Sequence, residues 1–397
     1  MEGRRPRALG ERRRVDGGGG HAAGEKKDAR EQKDAHGRRH AVAHFNLSWA
    51  RLAQRQIFKA RLRVRPAMGD VLSPDAKGIA RAAKALREGK LVVFPTETVY
   101  GLGANALDAE AVKGIFAAKE RPADNPLIVH VADVAAARRL ARAWPDAAHA
   151  LARAFWPGPL ALVLPRAEGV PDITTGGLDS VALRVPSHGV ARLLLQAAGV
   201  PVAAPSANRS GRPSPTRVHD ARADLGNAVE IYLDGGATDV GVESTVVALL
   251  DAEPAILRLG GIARERIEEV VGPVRVATHA RDGPALSPGT KYRHYAPRAR
   301  LHLIQGDPLP LALALRAQGR KAAIVCPSDR ETLLGRDVRK PARADEPEAW
   351  ARALFALLRD LDAEGYDDIV VESIPEAGVG AAVMDRLRRA GEAGGAR

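Results

Sequence analysis

The sequence predicts an α/β protein: a twisted mixed sheet with flanking helices over residues 68–277, a linker over 278–298, and a smaller α/β unit over 299–397. Three observations carry this reading. After Met68, short apolar runs suited to buried strands alternate with stretches of helical period. The 397 residues are 45% hydrophobic, enough chain to bury more than one core. Residues 278–298, THARDGPALSPGTKYRHYAPR, interrupt the alternation with the turn formers Gly283-Pro284 and Pro288-Gly289.

Taken in order, the elements follow from local signals. Ser73 can cap a helix with Pro74 at its first position, Ile79, Ala83 and Leu86 share one face, and Gly89 ends it. Leu91–Phe94 reads as a strand, and Asp108 caps a helix running to about Lys119. Leu127–Val131 reads as a strand, followed by Ala-rich helix to about Phe155. Further strands are expected at Leu160–Leu164, Val181–Val185, Val202–Ala204, Ile231–Leu233 and Thr245–Leu250, with helices at 189–198, 217–225 and 263–271. Beyond the linker, strands are expected at Leu301–Ile304, Ala322–Val325 and Ile369–Val371, and helices at 308–318, 346–364 and 380–390.

Charge and composition narrow the function classes. The net charge is +12, but residues 1–67 hold 18 of the 60 Lys and Arg against 7 of the 48 Asp and Glu, a local net of +11. The rest of the chain is therefore nearly neutral, and the basic balance says little about the folded part. Residues 1–67, with Arg12-Arg13-Arg14 and the run Gly17–Gly20, cannot bury enough surface to offset ordering entropy. They read as a disordered basic extension, or as sequence upstream of a natural start at Met68. A nucleic-acid arm is the alternative. The lone Cys326 excludes a disulfide framework and a Cys-rich zinc site. No apolar run reaches 18 residues, so no transmembrane helix and no membrane partner are expected, and the location expected is cytoplasmic.

Several clusters carry chemistry. Pro95-Thr96-Glu97-Thr98-Val99-Tyr100-Gly101-Leu102-Gly103 follows a strand, with hydroxyls, a carboxylate and glycines that would let backbone N–H groups approach a ligand; an ordinary turn is equally compatible. Lys119-Glu120-Arg121-Pro122 and Asn125 end a helix, where cations either complement the dipole or bind polyphosphate. His130 on the next strand reads first as a core histidine. Pro205-Ser206-Ala207-Asn208-Arg209-Ser210-Gly211, continuing to Ser214, offers hydroxyl and amide groups for phosphate or ribose, or is a polar turn. Ser180 and Arg184 in SVALRVP, Ser244 in GVESTVV and Arg258 in ILRLGGI complete the set. A guanidinium inside an apolar strand needs an anionic partner, and two of them suggest an anionic ligand. There is no GxxxxGK[ST] loop, GxGxxG fingerprint, GxSxG elbow or metal-ligand spacing. The residues by themselves lead to an α/β protein with an anion-binding crevice.

The blocks PTETVYGLGANA, KERPADNPLIVHV, ALRVPSH, PSANRSGRPSPT and GVESTVV together resemble the YrdC-like domain of the threonylcarbamoyl-AMP synthase family. SPGTKYRHYAP followed by a second, Rossmann-like α/β unit resembles that family's long, two-domain form. The resemblance covers about 68–397. It implies a nucleotidyltransferase that makes threonylcarbamoyl-adenylate from L-threonine, bicarbonate and ATP, with Mg²⁺ accompanying ATP and pyrophosphate released. A separate threonylcarbamoyl transferase complex then modifies the adenosine next to the anticodon of ANN-decoding tRNA. By the same resemblance Thr98, His130, Arg184, Ala204 and Ser244 would hold threonine. Arg121, Asn125, Ser180, Ser206, Asn208, Ser214, Arg258 and Tyr295 would hold ATP, and Lys119 and Arg121 would line the phosphate path as catalytic residues. Thr290, Leu259 and Asp385 depart from the family's usual Met, Pro and Asn. The rival is a double-stranded RNA-binding module, or weak RNA binding beside the activity. Against it stand the near-neutral 68–397 and aromatic residues at 4%.

Overall fold

The computed structural model describes residues 69–122, 124–277 and 295–392. The expectations for 1–67 and for most of the linker lie outside the described residues. In chain order the larger unit contains β1 (Asp70–Leu72), α1 (Ala76–Arg87), β2 (Val92–Phe94), β3 (Gly101–Asn105), α2 (Ala109–Lys119), β4 (Ile128–His130), α3 (Val134–Arg138), α4 (Asp146–Phe155), β5 (Leu160–Pro165), α5 (Asp172–Thr175), β6 (Ser180–Arg184), α6 (Gly189–Ala198), β7 (Val202–Ala203), α7 (Val218–Leu225), β8 (Ile231–Leu233), β9 (Thr245–Ala248), β10 (Ala255–Arg258), α8 (Arg264–Val271) and β11 (Arg275–Val276). The smaller unit contains β12 (Arg300–Ile304), α9 (Leu309–Ala317), β13 (Ala322–Val325), β14 (Val338–Arg339), α10 (Pro347–Ala363), β15 (Asp368–Glu372) and α11 (Gly380–Glu392).

An 11-stranded sheet runs β1-β8-β2-β3-β7-β4-β6-β5-β9-β10-β11. It is mixed: β4 and β6 are parallel, whereas β7 is antiparallel to both β3 and β4. Strand alternation sends successive side chains to opposite faces. Val92 and Phe94 thus pack with Ile79 and Leu86 of α1 and Leu194 of α6, while Val93 points to the core with Val112 and Ile115 of α2 and Leu151 of α4. The second sheet, β12-β15-β13-β14, is wholly parallel. Ala323, Val325, Ile369 and Val371 face Trp350 and Phe355 of α10 and Leu387 of α11, and Ile324 and Val370 face Ala312 and Leu315 of α9. Helices on both faces of a parallel sheet are the doubly wound arrangement.

Two local readings are corrected. The first helix is capped by Asp75, whose carboxylate accepts the Gly78 N–H at 2.8 Å, and not by Ser73. The segment Gly101–Asn105, read as part of a loop, is strand β3, and Gly103 serves packing there. A Cβ at Gly103 would stand 2.7 Å from the Phe94 ring and 2.8 Å from Val202 Cγ1. The apolar cores of the two units meet around Val99, Val242 and Tyr295, which pack with Trp350 and Phe355.

Candidate active site

A cavity enclosing about 610 Å³ of space, open solvent included, is lined by residues of the larger unit and by Tyr295. His130 of β4 is level with Arg184 of β6 and with Val202 of β7, so imidazole and guanidinium stand side by side on one face. The turn after β2 is locked by its own hydroxyl. Thr96 Oγ1 donates to Val99 O at 2.7 Å, accepts the Thr98 and Val99 N–H groups, and shares a 2.8 Å hydrogen bond with Thr98 Oγ1. Ala204 lies just after β7, its N–H donating to Ile128 O at 2.9 Å. Ser244 precedes β9. Thr98, His130, Arg184, Ala204 and Ser244 all line the cavity, together with Arg121, Ser206, Asn208, Ser214, Arg258 and Tyr295.

Three of the expected residues are not among those lining the cavity. Lys119 is 1% exposed at the end of α2, and its Nζ donates to Ser206 O and Asn208 O; it is not among the lining residues. The helix ends at Glu120 in the left-handed conformation, and Lys119 reaches the backbone of Ser206 and Asn208, two residues that do line the cavity. The lysine ties down the turn that carries Ser206 and Asn208. That turn is further tied by Ser206 Oγ on Asn208 Oδ1 at 2.5 Å and by Asn208 Nδ2 donating to Arg209 O and Arg212 O. Asn125 and Ser180 are buried outside the lining set. Both ends of the Asn125 amide lack a hydrogen-bond partner, and Ser180 opens β6 opposite Pro165.

The anion that Arg184 needs is partly supplied by the chain. Glu97 Oε1 lies 2.8 Å from Arg184 Nη2, with side chains 6% and 4% exposed. The contact is a buried ion pair. Burial acts to raise the Glu97 carboxyl, but Arg184 outweighs it and holds it below the usual carboxylate range. Burial, reinforced by Arg184, lowers the His130 imidazole to about 3, so it is neutral at pH 7 and serves as a hydrogen-bonding group. The Lys119 ammonium is pushed well down by burial and by Arg121. Arg258 donates to Ser244 O at 3.0 Å and Ser244 Oγ at 3.2 Å. Its guanidinium is lowered by burial, with Tyr295 and Glu243 opposing.

Glu97 and Glu243 fall within the motifs the sequence offers, but sequence reasoning assigned neither a binding role. Glu243 lines the cavity 6% exposed and accepts from Ser214 Oγ at 2.5 Å. Their signal was available in the arginines, whose buried charge requires a carboxylate somewhere in the chain. Tyr295, the first described residue after the linker gap, takes φ +65°, a strained value for a non-glycine. Its ring stacks on Phe355 at 5.5 Å between centroids.

Comparison with known proteins places the chain. Residues 84–260 match the family described as "Telomere recombination", and residues 262–392 match "Threonylcarbamoyl-AMP synthase, C-terminal domain". A threonylcarbamoyl-AMP synthase of Pyrococcus abyssi is 47% identical over 323 residues, covering 78% of this chain and 92% of its own. The chain belongs to the threonylcarbamoyl-AMP synthase family. A Bacillus subtilis threonylcarbamoyl-AMP synthase is 43% identical over 328 residues, covering 81% of this chain and 95% of its own. The crystal structure of P. abyssi Sua5 complexed with L-threonine superposes with a TM-score of 0.75 at 46% identity, covering 80% of this chain and 94% of that one. The family's members are enzymes of the transferase class, and the α/β fold of this chain is theirs.

Proposed function

We propose that this chain makes L-threonylcarbamoyl-adenylate from L-threonine, bicarbonate and ATP with release of pyrophosphate, in the cytoplasm, for delivery to a tRNA-modifying threonylcarbamoyl transferase complex. The observation that carries the proposal is a single cavity whose lining brings together both groups of residues, those expected to hold threonine and most of those expected to hold ATP. Thr98, His130, Arg184, Ala204 and Ser244 would form an amino-acid end, where Arg184 would receive a carboxylate and the neutral His130 a hydrogen bond. Arg121, Ser206, Asn208, Ser214, Arg258 and Tyr295, which line the same cavity, would form a nucleotide end.

The threonine amine attacks bicarbonate, forming a C–N bond and losing water, to give an N-carboxylate. A carboxylate oxygen then attacks the α-phosphorus of ATP, and the bond to the β-phosphate breaks as pyrophosphate leaves. The chain's contribution is orientation and charge neutralisation. Arg121 supplies the cation, and each charge-assisted hydrogen bond is worth about 1.5–3 kcal/mol. Lys119 acts one step back by holding the Ser206–Asn208 turn. Asn125, whose buried amide has no hydrogen-bond partner, and Ser180 would contact ATP as the family resemblance implies.

Mg²⁺ fits this scheme as part of the Mg·ATP substrate. Among the described residues no three His, Cys, Asp or Glu side chains group to hold a metal, and Glu97 and Glu243 are each engaged by an arginine. No helix of the described residues is long and apolar enough to cross a membrane. The test is incubation with ATP, L-threonine and labelled bicarbonate. Label should appear in an adenylate, and pyrophosphate release should require threonine. Threonine-independent release would refute the proposal, and RNA binding retained without any adenylate would favour the RNA-binding reading.

A further inference from the structure

We propose that Arg386, carried on α11 of the smaller unit, is a positioning residue for the nucleotide end of the cavity. It holds Glu243, which in turn fixes the Ser214 hydroxyl. The inference rests on the reading of that end as an ATP site.

The geometry is a relay across two units. Arg386 is 1% exposed, and its donors go three ways: Nε to Glu243 Oε2 at 2.9 Å, Nη2 to Leu259 O at 2.8 Å and Nη1 to Asp385 Oδ2 at 2.6 Å. Glu243 spends its other oxygen on Ser214 Oγ. The Arg386 guanidinium also sits 5.1 Å from the centre of the Tyr295 ring, so one side chain touches two elements of the cavity wall. A planar guanidinium with a fixed fork of donors suits this task, where a lysine would hold fewer partners in fixed directions.

The charge argument points the same way. Glu243 is a carboxylate in the wall of a cavity proposed to take a polyanion. Unpaired, it would repel the triphosphate, and its freed oxygen would no longer set the Ser214 hydroxyl. Arg386 neutralises it in place, and Asp385 with its own contact to Arg389 at 3.0 Å steadies the arginine from behind. The close approach this needs is served by Gly260, where a Cβ would stand 2.3 Å from Glu243 O. By this account the smaller unit contributes a working part of the site in addition to covering Tyr295.

The experiment measures pyrophosphate release by the full chain, varying ATP and threonine separately, for the wild type, Arg386→Met, Arg386→Lys, Glu243→Gln and the double variant. Arg386→Met should raise KM for ATP at least about tenfold, the loss of one charge-assisted hydrogen bond, while KM for threonine moves far less. Arg386→Lys should recover part of the loss. Glu243→Gln should raise KM for ATP by itself, and adding Arg386→Met to it should change little further, as coupled sites require. Equal rises in both KM values, an unchanged KM for ATP, or additive effects in the double variant would overturn the relay. Thermal melts report folding; if Arg386→Met does not fold, Arg386→Lys and Glu243→Gln carry the same comparison. A wild type without threonine-dependent turnover would count against the reading of the site. Calorimetric titration with ATP then reads the relay directly, and equal affinity in wild type and Glu243→Gln would refute it.

Discussion

Replacing Glu97 by Gln removes one charge of a buried pair and keeps the side-chain shape. The Arg184 side chain is 4% exposed and faces Glu97 at 2.8 Å, so solvent screening is slight and the uncompensated guanidinium bears the cost. Breaking such a pair from one side costs about 3–5 kcal/mol. The expected cost is the lower end of that range, about 3 kcal/mol. For a domain of this size that corresponds to a fall in Tm of roughly 5–10 °C. Arg184 also lines the cavity, so a threonine carboxylate would become its anionic partner in the variant. Saturating L-threonine should therefore raise the Tm of Glu97→Gln by more than it raises that of the wild type. Thermal unfolding followed by circular dichroism, with and without threonine, reads both effects. A variant that melts within about 1 °C of the wild type would show that the pair carries no such energy. One that gains no extra stability from threonine would show that Arg184 does not receive the amino-acid carboxylate.

Two further outcomes follow from the same geometry. His130 is lowered to about 3 in the folded chain, so the unfolded chain binds the extra proton between that value and its ordinary pKa near 6.5. Stability is then complete above pH 6.5 and is lost as pH falls toward 3. Glu97, also lowered, adds loss in the same direction as the pH drops below the ordinary carboxylate range. Denaturant midpoints measured against pH should show this decline, and His130→Asn should flatten its upper part. Gly103→Ala should cost about 1–3 kcal/mol through overpacking against Phe94 and Val202. Its urea midpoint should fall with an unchanged m-value, and an unchanged midpoint would show that the neighbouring side chains yield freely.

Much of the framework was legible because its signals are local. Helix 189–198 carries Ala191, Leu194, Leu195 and Ala198 on one buried face, and strand 322–325 is a continuous apolar run; both occur where the sequence places them. β3 was not legible. Gly101-Leu102-Gly103-Ala104-Asn105 has no β-branched residue, and pairing with β2 on one side and β7 on the other makes it a strand. The cap at Asp75 was missed for a smaller reason: Ser73 and Asp75 both satisfy the local pattern, and only the backbone path chooses between them. The site residues quoted from the motifs gather at one cavity for Thr98, His130, Arg184, Ala204 and Ser244. Lys119, close to Arg121 in the chain, faces a different partner.

By itself the sequence determined which groups were available: the hydroxyls, the guanidiniums, the imidazole, and an order of motifs that resembles one family. Periodicity and caps reach only a few residues along the chain, so they specify elements and not partners. The partners of buried charges were decided by tertiary structure alone. Arg184 meets Glu97 across 87 positions, Lys119 meets the carbonyls of Ser206 and Asn208 across 87 and 89, and Arg386 meets Glu243 across 143. A charge removed from water must find its counterpart wherever the fold brings one, and that meeting has no local signature.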